Sequence, residues 1–300
     1  MDQITIGIIA PAIPCFPIWI AQRNGHFADH EIEATTIMTG TTDKVTSALL
    51  DNHCQLAINT PEGVIANIAK GGTLRLAAGN TNKAPLTLIG LPSIHTIEDL
   101  RGCKIGTSSL QEGTAILVQR MLAAHGLHYP GDYEFALVGA HPQRWEALQA
   151  GTIDAGLQLV PYDYMAQEAG FSSLGAARDY VPHYAFTAIA VDLGWAEPHR
   201  EIARRALVAL REAVAWSRDH IDETAEIVAT ETHADLGHAV RALHDLYDDD
   251  VMDADMRVDP AALDEVIASA RQAGLVGDDV PLPDEAIIDA SFSAEQEVPA

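Results

Sequence analysis

Apolar and polar positions follow one repeating unit along most of the chain: a short apolar run, a loop of small polar residues, then an amphipathic stretch closed by glycine. Ile4–Ile9 reads as a strand, Pro11–Pro17 as a loop, and Ile18–Asn24 as a helix ended by Gly25. The unit recurs with a strand at Ile32–Met38, the loop Thr39–Thr42 and a helix to Leu50. It recurs again with a strand at Gln55–Ile58, the loop Asn59–Glu62 and a helix over Gly63–Lys70. Leu74–Ala78 and Leu86–Ile89 read as further strands. A second series follows: Lys104–Gly106, the polar loop Thr107–Thr114 and a helix from Ala115 to Ala124; then Tyr133–Val138 and a helix opened by Pro142 and ended at Gly151. Ile153–Leu159 is a strand that stops at Pro161, and Ala185–Asp192 is another. Beyond Pro198 the periodicity is helical, over Ile202–Asp219, Thr224–Thr230, Leu236–Tyr247 and Ala261–Ala273. Strands alternating with helices predict an α/β fold with mostly parallel sheets, in which a ligand sits outside the carboxyl ends of the strands, facing helix N-termini.

Composition narrows the partners. Forty-three acidic side chains against 18 basic ones give a formal charge of −25, and Lys44, Lys70, Lys83 and Lys104 are the only lysines. So acidic a surface repels nucleic acid and anionic lipid, so neither nucleic-acid binding nor membrane insertion is expected. The three cysteines, Cys15, Cys54 and Cys103, form no CxxC and no even framework, which fits a reducing compartment. The apolar stretch Ile6–Ala21 lacks a basic leader segment and is broken by Pro11, Pro14 and Pro17, so it does not read as a signal peptide. As written the chain reads as cytoplasmic; with a leader already removed it reads as periplasmic or extracellular. No metal or cofactor motif appears: His233 and His238 are five apart, on different helix faces, and Asp245–Asp259 lacks the glycine and closing glutamate of a calcium loop. That acidic run reads as a solvated linker or helix edge.

Several segments, in order, carry a family resemblance. Cys15-Phe16-Pro17-Ile18-Trp19 through Gly25-His26-Phe27, Gly40 to Leu49, and Leu56-Ala57-Ile58-Asn59-Thr60-Pro61 come first. Glu98-Asp99-Leu100-Arg101-Gly102-Cys103-Lys104-Ile105-Gly106 and Ala147-Leu148-Gln149-Ala150-Gly151-Thr152-Ile153-Asp154-Ala155, followed by Pro161-Tyr162, complete the set. Together they resemble the periplasmic-binding-protein-like (type II) family of nitrate, sulfonate and taurine solute-binding proteins and thiamine-pyrimidine-synthesis-like proteins. The resemblance covers about the first 190 residues well. It implies a two-lobed clamp, with residues 1–88 and 186–300 in one lobe and 89–185 in the other. It also implies a solute-binding protein that closes on a small sulfonate, carboxylate or heteroaromatic molecule and serves an ABC permease. The iron-linked cysteine cluster of the pyrimidine-synthesis proteins is absent, so that activity does not carry over. A cytoplasmic lyase or hydrolase on the same scaffold, and a cytoplasmic ligand sensor, remain as alternatives.

The candidate site residues lie in the loops at the predicted rim. Ser108, Ser109, Gln111, Gly113 and Thr114 stand where a helix N-terminus meets the cleft, although serine and threonine cap helices anywhere. Gly40, Thr41, Asn59 and Thr60 have the same two readings, and Gln158 is taken with them. Arg144, in the first turn of a helix, opposes the helix dipole and so needs an anionic partner, from a ligand or from the protein. Phe16, Trp19, Tyr162 and Tyr184 either wall an aromatic ligand or pack in the core. The rim suits a small anion or polar aromatic acid better than a sugar. Cys15 occupies the loop in which a sulfinate desulfinase of this fold carries its nucleophile. That enzyme also uses a histidine and an arginine, and the stretch Thr39–Glu62 offers only His53. Without a base or cation in reach a thiol is weakly nucleophilic, so Cys15 reads first as a wall of the pocket.

Overall fold

The structure, a computed structural model, describes residues 1–110 and 112–292. The chain opens with β1 (Asp2–Ile8), α1 (Phe16–Arg23), the single turn α2 (His26–Asp29), β2 (Ile32–Met38), α3 (Thr42–Leu50), β3 (Leu56–Asn59), α4 (Pro61–Ala69) and β4 (Leu74–Thr81). Then come β5 (Leu86–Gly90), β6 (Lys104–Thr107), α5 (Gly113–Ala123), β7 (Glu134–Leu137), α6 (His141–Gln149), β8 (Ala155–Leu159), α7 (Tyr162–Glu168) and β9 (Ser172–Ala176). It returns through β10 (Thr187–Asp192) and α8 (Leu193–Ala196), and continues in α9 (Arg200–Asp219), α10 (Ile221–Thr232), α11 (Leu236–Asp248) and α12 (Pro260–Gln272).

These strands form two five-stranded sheets, ordered β2-β1-β3-β10-β4 and β7-β6-β8-β5-β9, one in each lobe. In the first, β1 runs parallel to β2 and β3 while β10 runs antiparallel to β3 and β4. In the second, β6 runs parallel to β7 and β8 while β5 runs antiparallel to β8 and β9. Each sheet thus has one reversed strand, and it is the strand that arrives directly from the other lobe. The chain leaves the first sheet after Thr81 and enters the second at Leu86; it goes back between Ala176 and Thr187. Leu86–Leu88, grouped with the first lobe from the sequence, pair with Leu157–Leu159 in the second sheet.

Burial explains the elements. Ile4, Ile6 and Ile8 alternate inward along β1, whereas β3 is buried along its whole length, as a central strand covered on both faces must be. In α9 the buried residues Ala203, Ala206, Leu207, Leu210, Ala213, Val214 and Ser217 follow the helical repeat and form one stripe. Each large aliphatic side chain sealed this way, such as Ile6 or Leu210, contributes about 1.5–3 kcal/mol. Two elements carry no clear signal in the sequence. Pro161 precedes α7 instead of only ending a strand, and β9, Ser-Ser-Leu-Gly-Ala, is an edge strand whose small residues show no alternation. The acidic run is not wholly solvated either. Tyr164 of the second lobe donates to Asp245, and Arg178 pairs with Asp249, so part of it ties the lobes together.

Candidate functional site

The carboxyl ends of the parallel strands bring four helix N-termini toward one cleft: α3 after β2, α4 after β3, α5 after β6 and α6 after β7. Between them lies a cavity with about 70 Å³ open to the centre of a water molecule. Its first wall is the loop after β1, with Ile9, Ala10, Pro14 and Cys15, joined by Ile58 and Thr60. Its second wall is Ser108, Glu112, Thr114, Ala140, His141 and Leu159, and the returning segment adds Phe186 and Thr187. The Thr60 hydroxyl is buried there without a hydrogen-bond partner.

Glu112 organises the second wall. It is the residue before α5, yet its side chain does not cap that helix; it curls back into the polar loop. Its Oε1 accepts from Thr107 Oγ1 (3.3 Å), from the Ser108 N–H (3.2 Å), and from the hydroxyls of Ser108 and Thr114. The loop's hydroxyls, which from sequence suit a bound anion, are therefore directed at an anion of the protein itself. Among the described residues, Oε2 meets Thr42 Oγ1 of the first lobe, at 3.4 Å. Arg144 stands behind, with Nη2 3.8 Å from Glu112 Oε1. Its aliphatic chain lies over Gly106 and Gly156, paired residues of β6 and β8. A Cβ on Gly156 would fall 2.8 Å from Arg144 Cδ, so the two glycines make the groove the arginine occupies. Nη1 donates to Leu157 O (2.5 Å) and Nη2 to Gly139 O (3.3 Å). Burial lowers the guanidinium to about 10, partly opposed by Glu112, so Arg144 stays cationic at neutral pH.

His141 opens α6 beside this pair. Its Nδ1 accepts from the Leu159 N–H at 3.2 Å and faces Arg144 Nη1 at 3.5 Å. Burial and then the arginine charge hold its pKa well below the ordinary imidazole value. It is therefore a neutral ring whose proton sits on Nε2. Across the cavity, Cys15 is buried with Sγ 3.7 Å from Ala10 O, and burial pushes its thiol up to about 12. A thiol so placed is almost wholly protonated at neutral pH.

A second, more polar cavity of about 300 Å³ opens on the other side of Glu112, lined also by Thr42, Asp43, Glu62, Asn67, Lys70 and Ser109. Glu62, in the first turn of α4, is 1% exposed. Its Oε1 accepts from Tyr184 Oη at 2.6 Å, and its Oε2 has no hydrogen-bond partner among the described residues. Burial raises its carboxyl above the usual carboxylate range, with the Tyr184 hydroxyl opposing. Gly113 lets α5 approach this pair: a Cβ there would lie 2.6 Å from Glu62 Oε1 and 2.8 Å from Tyr184 Oη.

The residues singled out from sequence are thus distributed unevenly. Cys15, Thr60, Ser108 and Thr114 line the first cavity, and Ser109 lines the second. Gly113 and Tyr184 stand behind the walls, against Glu62. Gly40, at φ +83°, and Thr41, which caps α3, shape the entry to that helix. Asn59 is turned to its own segment, bonding Thr46 Oγ1 and the Thr60 N–H. Phe16 is fully buried, edge-on to Tyr247 in the core, and Trp19 is buried with it. Tyr162 donates to Thr232 O at 3.4 Å, and Gln158 is buried with both amide atoms unpartnered; neither lines the cavity. Gln111 lies outside the described residues. His53 is exposed, as expected of a residue before β3. His141 lines the same cavity as Cys15, from the opposite wall. Glu112, His141 and Glu62 were not singled out from the sequence. Each stands at the start of a helix that follows a parallel strand, and that position is the signal that could have found them. Among the described residues no group of three or more histidine, cysteine or acidic side chains is placed to hold a metal ion, and no helix is long and apolar enough to cross a membrane.

Comparison with known proteins agrees with this architecture. The alkanesulfonate-binding protein SsuA from Xanthomonas axonopodis pv. citri, solved with MOPS bound, superposes with a TM-score of 0.75 at 17% identity, over 96% of this chain and 98% of that one. The ligand-binding component of an ABC-type import system from Staphylococcus aureus, solved with zinc bound, gives 0.81 at 12% identity over 98% of both chains. In sequence, the bicarbonate transport ATP-binding protein CmpC from Synechocystis is 24% identical over 244 residues; the match spans 73% of this chain but only 36% of that protein's length. The family model described as NMT1/THI5 like matches residues 14–224, and the chain belongs to that family.

Proposed function

We propose that this protein is a solute-binding protein whose two lobes close on a small organic molecule and present it to an ABC permease. The observation that carries the reading is the cavity walled from both lobes and from the returning Phe186–Thr187 segment, which a hinge motion would open and seal. The lobes of this reading are close to residues 1–88 with 186–300, and 89–185, turning about the two crossing segments. The protein then works where such importers collect solute, in the periplasm or outside the cell. A thermal-shift library built on the sulfonate, carboxylate and heteroaromatic classes, with sugars and peptides as controls, tests it. A ligand at 100 times its Kd should stabilise the fold by about 2.7 kcal/mol and reduce the radius of gyration in small-angle scattering. Stabilisation without compaction, or stabilisation by sugars alone, contradicts the proposal.

A second reading, a lyase or hydrolase with Cys15 in its site, is favoured by one observation, His141 on the wall of the same cavity. Against it stands the buried thiol, which burial raises to about 12 and so keeps protonated and weakly nucleophilic at neutral pH.

A further inference from the structure

We propose that the ligand carries a protonated nitrogen, seated between Glu112 and Glu62, with an apolar body in the cavity beside Cys15. The proposal rests on the solute-binding reading and names the head group such a solute needs. Helix N-termini and hydroxyls ordinarily favour an anion at such a rim. Here those donors are already engaged: Thr107, Ser108 and Thr114 bond Glu112 Oε1, and Arg144 is held by Leu157 O, Gly139 O and Glu112 itself. An anionic head arriving at Glu112 would meet a carboxylate and find the loop hydroxyls beside it taken, while the Thr60 hydroxyl and His141 on the cavity wall offer donors to a neutral or anionic group elsewhere on the molecule.

What the site offers is acceptor capacity. Among the described residues, Glu112 Oε2 has one long contact, to Thr42 Oγ1 at 3.4 Å. Glu62 lines the adjoining cavity, is buried, and has one oxygen without a partner, which is costly unless a donor meets it. The charges facing this space are Glu62, Glu112 and Asp43 against Arg144 and Lys70, with His141 neutral, so one added positive charge balances the ionised set. Ile9, Ile58, Leu159 and Phe186 give the first cavity the apolar surface that a hydrocarbon body needs. A sulfonate or carboxylate elsewhere on the same molecule is compatible with this arrangement. Burial raises the Glu62 carboxyl above the usual carboxylate range, and a cation seated beside it favours the ionised form.

Calorimetry with benzylamine, benzyl alcohol and benzoate, which share a ring and differ in the charge of the head, tests the inference. Benzylamine is expected to bind about tenfold or more tightly than either of the others, a difference of about 1.4 kcal/mol. Glu62→Gln and Glu112→Gln should each weaken benzylamine about tenfold while leaving benzyl alcohol unchanged. Glu62→Gln keeps the test open if Glu112→Gln does not fold. Benzoate binding in preference to benzylamine overturns the head group and leaves solute binding standing. Benzylamine affinity unchanged in Glu62→Gln overturns it too, as does failure of all three probes; the scattering experiment decides separately whether the lobes close on any solute.

Discussion

The two lobes share one strand plan, with a reversed fourth strand in each sheet, yet they bring opposite chemistry to the cleft. The first lobe contributes Ile9, Pro14, Cys15 and Ile58, and the buried hydroxyl of Thr60. The second contributes Glu112, Arg144 and His141, charged or polar groups buried on one another. The same backbone topology therefore gives the cavity beside Cys15 apolar surface from one side and a fixed electrostatic arrangement from the other, while the first lobe's charged groups, Glu62 among them, face the adjoining cavity. In the second lobe the arrangement depends on glycines: Gly106 and Gly156 leave a groove for Arg144, and Arg144 in turn makes a buried Glu112 tolerable.

The largest effect expected from breaking this contrast is at Arg144. Arg144→Ala should destabilise the fold by about 3–5 kcal/mol, because Glu112 is left buried without its cation and the groove is emptied. Adding Glu112→Gln should recover part of that loss in chemical denaturation; strict additivity of the two changes would mean that they are not coupled.

A smaller effect lies at the junction of the lobes, where Asp163 accepts from Thr87 Oγ1 (2.8 Å) and from the Tyr164 N–H (2.9 Å). Burial pushes its carboxyl from 3.8 up to about 6. The folded state then holds that proton more tightly than the unfolded chain, so its contribution is most favourable below about pH 4 and is lost as pH rises through about 6. The difference in stability between the wild type and Asp163→Asn should therefore change by on the order of 3 kcal/mol across that window. A difference independent of pH would place the proton elsewhere.

The smallest effect is expected at Cys15. If it only lines the cavity, Cys15→Ser should alter ligand affinity by no more than about 1 kcal/mol. Its thiol, held near 12, should resist iodoacetamide at pH 8 in the folded protein. Rapid alkylation at pH 6, blocked by ligand and matched by loss of a product-forming reaction, would favour the lyase or hydrolase reading.

Much of the fold was legible because the strands are short apolar runs and the loops between them are rich in small polar residues. Seven-residue β2, from Ile32 to Met38, and α3, ending at Leu50, fall where periodicity places them. What could not be read is what depends on contacts distant in sequence. β9 has no alternation because it is an edge strand, and Tyr184 belongs to Glu62, 122 residues away. The polar loop Thr107–Thr114 is visibly rich in donors, but a sequence does not say which acceptor takes them. Glu112 stands inside that loop, and only its backward turn onto Ser108 and Thr114 shows that it takes the place available to an anion. Arg144 did require an anionic partner, and the protein supplies one.

Ligand is expected to enter the cavity between the lobes. Ala10 lines that cavity from the first lobe, and Ala10→Trp places an indole in a space of about 70 Å³ while Glu112 and Arg144 themselves stay unsubstituted. With a ligand that stabilises the wild type, the variant should keep its own melting transition and lose the ligand-induced rise in Tm and the compaction seen by scattering. A full ligand-induced shift in Ala10→Trp would contradict the account, because the ligand would then be bound somewhere other than the cleft.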